Sequence, residues 1–367
     1  MDFKRSNLDL LIVTPLFFGD ASGAAVYYNL LTQHLIERGV DIGVVSDMMQ
    51  GSFQGSYIPL FPARCGLNKN IARDYALYAL QNWRYLALPR IINNYKSDSL
   101  LIHSSFYNMI GIFPAVLKHI LKKRANRINI LDVRDRLMPP SAVKHLDQYD
   151  RVIACSDNVA AFLIQSGLSA DKLTSIPVLQ EPIAVDQDES RRFVESLGII
   201  PGRYIFYAGL VKEEKGVDLL LEAFVQQVRK ALPDISLVIS GLLKTTSAKM
   251  VHLLGEDGVK YIGNRNRREV LQLMSQSCLC VNLSPIEGFP RSCLEALALN
   301  RHVLLPPNIP EFMKYCPESV VTERTPEAVA QRMIQAIEAG SAAFYPIQKH
   351  YPESVLPLYA EALSLSF

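Results

Sequence analysis

Short apolar runs alternate along this chain with longer segments in which apolar residues recur every three to four positions. The runs at 10–13 and 204–208 have the length and composition of buried strands. Apolar residues between Val217 and Leu232 recur at helical spacing and form one face of an amphipathic helix. Because strands and helices alternate in this way, we expect an α/β fold with parallel sheets covered by helices.

The alternation occurs twice, on either side of a polar stretch at 180–192, which reads as a linker or a solvated helix. The predicted strands before it are 10–13, 40–45, 100–103, 128–132 and 152–155. Those after it are 204–208, 235–240, 259–262, 279–283 and 303–305. We therefore predict a Rossmann-like domain at 1–180, a second at 181–345 and a helical tail at 346–367. Open parallel sheets bind ligands beyond the carboxyl ends of their strands, which predicts a ligand in a cleft between two facing domains.

Composition narrows the class of protein. The chain has 367 residues, of which 49% are hydrophobic and 20% charged, with a formal net charge of +2. These values argue against disorder and against a surface devoted wholly to nucleic acid. The six cysteines lack zinc-site spacing, so buried free thiols in a reducing compartment are favoured over a metal site. With no visible signal peptide or long apolar run, we expect a cytoplasmic protein.

The segment 283–298, LSPIEGFPRSCLEALA, is the most informative part of the sequence. A predicted strand leads into a loop that carries Glu287 and Gly288, and Pro290 stands where a helix could begin. The free amides at a helix start attract anions, and a glycine lets the backbone approach a ligand closely. Glu295 then lies inside that helix, eight residues after Glu287. Two carboxylates at this spacing are also common on ordinary surfaces, so the loop context is what favours a site.

This segment resembles the E-x7-E region of the family 4 retaining glycosyltransferases, which have the GT-B fold. The resemblance rests on Glu287, Gly288, Phe289, Pro290, Leu294, Glu295 and Ala296. It implies that Glu287 contacts the sugar of a nucleotide-sugar donor and that Glu295 binds the ribose hydroxyls. It also implies that the backbone amides of Arg291 and Ser292 hold the diphosphate. These roles suit the groups, since carboxylates accept hydrogen bonds from hydroxyls and a helix start attracts phosphate.

A second segment, 207–218 (YAGLVKEEKGVD), resembles the G-R-L-x-x-x-K-G-x-D region of the same family. Gly209 matches its first glycine, and Lys215 falls on the lysine that neutralises the donor diphosphate; a solvated surface lysine is the alternative. The family's arginine is Leu210 here, and a missing cation should weaken stabilisation of the departing diphosphate. The cations that could compensate are Lys212, Arg265, Arg267, Arg268 and Arg291, and the sequence leaves the choice open.

Two weaker matches lie near the predicted strand ends of the first half. Residues 18–26 resemble the family's glycine-rich acceptor-side loop, with Ser22 and Gly23 in place of its glycine pair. Residues 98–103 resemble the segment whose histidine lies beside the donor sugar, which implies that role for His103. A histidine at a strand end is more often structural.

Two further matches concern the end of the first domain and the tail. Residues 131–140 resemble a D-x-R-D-x-x-P segment of a branch that makes surface polysaccharides. Asp132, Arg134 and Asp135 could equally form a structural ion-pair cluster. The C-terminal tail resembles the family's helix that crosses back onto the first domain, so the tail at 346–367 is expected to pack there.

The stretch 107–127 contains no acidic residue, and an apolar run in it precedes several lysines and arginines. Such a basic, amphipathic stretch favours contact with an anionic membrane surface, where a lipid-linked acceptor would be found. A half-buried helix with a solvated basic end is the alternative.

The sequence carries neither a D-x-D motif, nor G-x-G-x-x-G after the first strand, nor a P-loop, so we expect no metal and no cofactor beyond the donor substrate. With the resemblance, this predicts a retaining, metal-independent hexosyltransferase that uses Glu287, His103 and Lys215. It would act in cell-surface polysaccharide biosynthesis, with a glycan or lipid-linked acceptor and no nucleic-acid partner, in the cytoplasm or at the inner face of the membrane. Two alternatives stay open: another GT-B enzyme such as a UDP-sugar 2-epimerase, and a catalytically impaired homologue that acts as a binding or scaffold protein.

Overall fold

This computed structural model contains two large parallel β-sheets, each within its own compact unit. The first unit comprises Met1–Leu179 together with Pro352–Phe367, and the second comprises Gln180–Tyr351. The structure describes residues 7–14, 16–17, 23–46, 48–49, 53–59, 88, 92, 95–104, 121, 127–136, 143, 145–340 and 344–366.

The described strands of the first unit are β1 (Asn7–Val13), β2 (Leu16–Phe17), β3 (Ile42–Ser46), β4 (Met48–Met49), β5 (Ser56–Pro59), β6 (Lys96–His103), β7 (Ile128–Val133), β8 (Arg151–Ala154) and β9 (Leu173–Ser175). Seven of them form a parallel sheet in the order β5-β3-β1-β6-β7-β8-β9, and β2 pairs with β4. The helices Gly23–Ile36, Asp157–Gln165 and Pro352–Leu363 belong to the same unit. The central strands are almost continuously apolar because helices cover both faces of such a sheet.

The second unit contains β10 (Tyr204–Ala208), β11 (Ser236–Ser240), β12 (Val259–Tyr261), β13 (Leu279–Val281) and β14 (Val303–Leu304). They form a parallel sheet in the order β12-β11-β10-β13-β14. Its α-helices are Gln187–Ser196, Val217–Ala223, Arg229–Ala231, Ala248–Leu253, Arg267–Ser275, Arg291–Ala298, Pro310–Tyr315 and Pro326–Ala339. The predicted apolar face after Val217 is buried in this core, although the helix continues there as a π-turn at Phe224–Val228.

The structure refines the predicted elements where local composition is a weak guide. Within the polar stretch 180–192, the helix Gln187–Ser196 begins because the Asp186 side chain accepts a hydrogen bond from the Glu189 amide. The strands β5 and β9 were not predicted, since their sequences, SYIP and LTS, are short and partly polar. Hydrogen bonds to the neighbouring strands β3 and β8 stabilise β5 and β9.

The C-terminal helix Pro352–Leu363 is held within the first unit by hydrogen bonds. Ser99 on β6 donates to the carbonyl of Leu363 at 2.6 Å, and Arg151 on β8 donates to the carbonyl of Ala362 at 2.8 Å. The sequence placed the start of the tail at 346, whereas residues up to Tyr351 group with the second unit. There the carbonyl of His350 accepts from the Gln180 amide at 2.8 Å. None of the helices in the described residues is long and apolar enough to cross a membrane.

Candidate functional site

The strand order of the second sheet reverses between β10 and β13. From β10 the sheet continues to β11 and β12 on one side, and from β13 to β14 on the other. The loops that leave β10 and β13 therefore diverge at the carboxyl edge, which is where open α/β sheets bind ligands. Both motifs found in the sequence, at 207–218 and 283–298, follow these two strands.

A glycine lets the loop after β10 touch the loop after β13. The short turn Glu213–Lys215 ends at Gly216, whose φ of +69° is in the left-handed region. A Cβ at this position would lie 2.4 Å from the carbonyl oxygen of Leu283. Only glycine therefore keeps Lys215 this close to the segment that leads to Glu287.

Lys215 and Glu287 form an ion pair at this edge. The Lys215 Nζ donates to Glu287 Oε1 at 2.6 Å, and the two side chains are 29% and 20% exposed. Burial raises the pKa of Tyr207 well above its ordinary value, and the charge of Glu287 adds a smaller increase. The Tyr207 hydroxyl stays protonated and donates to the carbonyl of Leu210 at 2.8 Å. The pair is thus half-buried yet reachable from solvent.

The helix Arg291–Ala298 begins directly after the Glu287 loop. Pro290 is its N-cap, and within the described residues no side chain caps this end of the helix. The backbone amides at the start of any helix have no carbonyl partner within that helix. Here these amides include those of Arg291 and Ser292. An anion placed there would satisfy them and interact favourably with the helix dipole.

Glu295 lies on this helix and is held between two cations. It is 8% exposed, so it is not an ordinary surface carboxylate. Arg267 donates its Nε–H to Glu295 Oε1 at 3.2 Å, and the Nε of Arg291 lies 3.5 Å from the same oxygen. The three guanidinium nitrogens of Arg291 are buried and have no hydrogen-bond partner among the described residues, and this burial lowers the pKa of Arg291.

The cations that could replace the arginine missing at Leu210 lie in different surroundings. Lys212 points its Nζ toward the exposed Glu214, at 3.8 Å, and Arg268 pairs with Glu189 at the surface. The side chain of Leu210 is exposed. Among the described residues, the cations that pair with the two glutamates of the motif are Lys215, Arg267 and Arg291.

Aromatic packing fixes the loop between Glu287 and the helix. Gly288 and Phe289 are buried, and the Phe289 ring lies 5.5 Å from that of Phe312 and 5.1 Å from that of His350. Tyr345 stacks on Phe312 at 4.9 Å and hydrogen-bonds His350 at 2.9 Å. The sequence analysis did not predict this stack, because its members are separated by long stretches of chain.

His103 lies at the carboxyl edge of the first sheet. It ends β6 and is in register with Asp132 on β7. It is 2% exposed, and its ring meets Tyr28 edge-on at 5.1 Å. Neither ring nitrogen has a hydrogen-bond partner among the residues that the structure describes. Burial and the charge of Arg134 lower the pKa of His103 to about 3. The imidazole is therefore neutral at physiological pH.

Beside His103 lies a buried group that we call the tyrosine cluster, made of Tyr27, Tyr28, Asp132, Arg134 and Tyr359. Asp132 Oδ2 accepts from the Tyr28 hydroxyl at 2.6 Å and from Arg134 Nε at 2.9 Å. Arg134 also donates Nη2 to the Tyr359 hydroxyl at 2.5 Å and lies 3.5 Å above the Tyr27 ring. The hydroxyls of Tyr27 and Tyr359 hydrogen-bond each other. Asp132 and Arg134 thus form a buried ion pair, but the sequence did not predict the tyrosines around it.

Some predicted features lie outside the described residues. They are Ser22, Cys65 and the basic stretch 107–127 apart from Leu121 and Arg127. Gly23 is described and begins the helix Gly23–Ile36. The five described cysteines are free thiols, and four of them are buried. Within the described ranges, no three His, Cys, Asp or Glu side chains are placed to hold a metal ion.

A family model matches part of this chain. Residues 192–348 match the model of a family described as glycosyl transferases group 1, and this range contains both motifs. A comparison with curated protein sequences found no match.

Solved structures share the fold over nearly the whole chain. Anabaena Alr3699/HepE in complex with UDP and glucose is 17% identical, with a TM-score of 0.71 over 97% of this chain and 99% of that one. Sucrose-phosphate synthase from Thermosynechococcus elongatus is 16% identical, with a TM-score of 0.71 over 97% and 96%. WaaG, a glycosyltransferase involved in lipopolysaccharide biosynthesis, is 13% identical, with a TM-score of 0.58 over 97% and 93%. The chain therefore has the α/β fold of the GT-B glycosyltransferases, with two Rossmann-like sheets, and its second unit matches the glycosyl transferases group 1 over residues 192–348.

Proposed function

We propose that this protein is a glycosyltransferase that moves a sugar from a nucleoside diphosphate sugar to a glycan or lipid-linked acceptor. The observation that carries the proposal is the Lys215–Glu287 pair, 2.6 Å long, beside the uncapped start of the helix Arg291–Ala298. A cation and free amides suit a diphosphate, and a carboxylate suits sugar hydroxyls. All of these groups lie within the residues that match the glycosyltransferase family.

Each group at the edge of the second sheet receives one part of the donor in this proposal. Lys215 and the amides of Arg291 and Ser292 hold the diphosphate, with Gly209 and Gly288 allowing the backbone to approach it. Glu287 contacts the sugar, and Glu295 accepts a hydrogen bond from the ribose. Lys215 is already held beside Glu287 at 2.6 Å, so the cation and the sugar-binding carboxylate are positioned before the donor arrives.

The chemical step depends on positioning and on charge stabilisation. The bond from the anomeric carbon to the diphosphate breaks, and a bond from that carbon to an acceptor hydroxyl forms. The departing diphosphate takes the proton of that hydroxyl, and Lys215 with the helix amides stabilises the negative charge that develops on it. The resemblance assigns His103 to the donor sugar, and its imidazole, which is neutral at physiological pH, can donate one hydrogen bond and accept another. We propose retention at the anomeric carbon and no requirement for a metal or other cofactor.

The finer biological role rests on the resemblance to the family 4 enzymes of surface-polysaccharide synthesis. The glycan or lipid-linked acceptor of this hexosyltransferase would be reached at the inner face of the cytoplasmic membrane through the basic stretch 107–127. The first unit, with Gly23 at the start of its first described helix, would bind that acceptor.

Binding of the donor is tested by thermal unfolding of the purified protein with UDP, GDP, ADP and their common sugar derivatives. A ligand at 100 times its Kd adds about 2.7 kcal/mol of stability, which is readily measured as a rise in Tm. We expect one nucleotide base to stabilise the wild type and not the Glu295→Ala variant. Absence of stabilisation by any of these ligands contradicts the proposal.

Transfer is tested with the donor so identified and a panel of lipid-linked and free glycan acceptors, and the product's anomeric configuration is read by NMR. Free sugar released without any acceptor would indicate a UDP-sugar 2-epimerase instead. Binding of the nucleotide without turnover on any acceptor would indicate the impaired homologue, which the exposed Leu210 in place of an arginine favours.

A further inference from the structure

The two arginines beside Glu295 occupy positions that the helices alone do not favour. Arg267 and Arg291 are the first residues of their helices, Arg267–Ser275 and Arg291–Ala298. A cation at a helix start interacts unfavourably with the helix dipole. The guanidinium of Arg291 is in addition buried, with no hydrogen bond from the described part of the chain, which is costly unless an opposite charge lies near. The carboxylate of Glu295 lies against both arginines and offsets these costs, and at Arg291 the charge of Glu181 adds to it.

Both arginines approach the same oxygen of that carboxylate. Arg267 Nε lies 3.2 Å and Arg291 Nε 3.5 Å from Glu295 Oε1. The described residues place no hydrogen-bond donor on Oε2. The carboxylate is thus held through one oxygen, and the other keeps its capacity to accept hydrogen bonds.

The elements that carry these side chains are themselves fixed. The helix Arg267–Ser275 begins with a capping box, in which Asn266 and Glu269 bond each other's backbone amides. On the helix Arg291–Ala298, Arg291 and Glu295 are four residues apart and so lie on the same face. Rotation of the Glu295 carboxylate would break its bond to Arg267 and move it away from Arg291.

We infer that Arg267 and Arg291 are positioning residues that hold Glu295 so that Oε2 is presented to a ribose hydroxyl. The inference rests on the proposed function, since it assumes a nucleotide donor. It assigns the selection of ribonucleotides over deoxyribonucleotides to the clamp that Arg267 and Arg291 form on Glu295. A bound deoxynucleotide leaves the fixed oxygen without a donor, and an unsatisfied buried carboxylate lowers affinity. When the clamp is loosened, the carboxylate turns to solvent and the missing hydroxyl matters less.

The test compares the nucleoside diphosphate that binds best with its 2′-deoxy and 3′-deoxy analogues, by calorimetry on the whole protein. We expect the wild type to bind the ribonucleotide at least tenfold more tightly than one of the analogues. In Arg267→Met this ratio should fall at least fivefold. Arg268→Met is the matched control, because Arg268 is the next residue, is exposed and pairs with Glu189; its ratio should equal that of the wild type.

Arg291→Lys and Arg291→Met extend the test to the buried arginine, whose loss carries the greater risk of misfolding. Arg267→Met keeps the inference testable if they fail to fold, because Arg267 is 36% exposed. An unchanged ratio in Arg267→Met overturns the inference, as does a uniform loss of affinity for all three ligands, which would make the arginines diphosphate ligands. A wild type that binds tightly without discriminating also overturns it. If the wild type binds no nucleoside diphosphate at all, the proposed function itself fails.

Discussion

The two units each carry charged residues at the carboxyl edge of a parallel sheet, but they bury them to different degrees. In the first unit, the tyrosine cluster encloses the Asp132–Arg134 pair, whose side chains are 0% and 11% exposed. In the second unit, the side chains of the Lys215–Glu287 pair are 29% and 20% exposed. The first pair is surrounded by tyrosines from two helices. The second lies near a helix start whose N-cap, Pro290, makes no side-chain cap.

This difference separates a pair that supports the fold from a pair that can bind a ligand. A buried ion pair contributes little net stability, yet loss of one partner leaves the other charge unpaired in a medium of low polarity. Removal of one partner from a pair that solvent can reach lowers the free energy of unfolding only a little, because water replaces the lost partner. Substitutions in the Asp132–Arg134 pair should therefore change folding, and substitutions in the Lys215–Glu287 pair should change binding.

The largest effect is expected from Arg134→Met, which removes the cation of the tyrosine cluster. Asp132 then remains buried, and among the described residues the Tyr28 hydroxyl is the one donor left to it. We expect the free energy of unfolding to fall by about 3–5 kcal/mol, measured by urea denaturation. Arg136→Met is the control, since Arg136 is exposed. Equal stability of the two variants would contradict the structural role of the cluster.

The opposite behaviour is expected from Lys215→Met. A charge-assisted hydrogen bond contributes about 1.5–3 kcal/mol, so the affinity for the nucleoside diphosphate should fall about tenfold to a hundredfold. The free energy of unfolding should change by less than about 1 kcal/mol. Calorimetry and urea denaturation measure the two quantities, and Lys212→Met, whose partner is the exposed Glu214, is the control. A loss of stability without a loss of affinity would reverse the comparison.

The buried His103 should make the stability of the protein depend on pH. Its pKa is lowered to about 3 by burial and by Arg134, so below the ordinary histidine pKa the unfolded chain binds a proton that the folded chain does not. The free energy of unfolding therefore decreases as the pH falls, by about 2 kcal/mol between pH 7 and pH 5. Urea denaturation at both pH values should show this change, and His103→Asn should lack that part of it. An identical pH dependence in the variant would show that His103 is not the group responsible.

The smallest effect is expected from Tyr359→Phe, which removes one hydroxyl from the tyrosine cluster. That hydroxyl accepts from Arg134 and bonds Tyr27, so its loss should lower the free energy of unfolding by about 1–2 kcal/mol. The affinity for the nucleoside diphosphate should stay as in the wild type. Tyr315→Phe offers a matched substitution in the second unit. A change in nucleotide affinity caused by Tyr359→Phe would contradict the assignment of the tyrosine cluster to folding and of the Lys215–Glu287 pair to binding.

Much of the fold was predictable because strand and helix signals are local. The apolar runs and the helical spacing after Val217 gave the α/β class, and β10 was predicted with its observed ends, Tyr204–Ala208. The short strands β5 and β9 were missed because their stability comes from neighbours in the sheet rather than from their own residues. The Lys215 and Glu287 motifs were found from sequence, since each is a continuous segment after a strand.

The sequence by itself determined the two sheets, the order of their strands along the chain and the short segments that carry Lys215, Glu287 and Glu295. Only the tertiary structure decided which cation lies against which carboxylate. Arg267 reaches Glu295 across 28 residues, and Tyr359 reaches Arg134 across 225. Contacts of this kind depend on how helices that are distant in the chain pack on a sheet. The sequence around each partner does not indicate that packing.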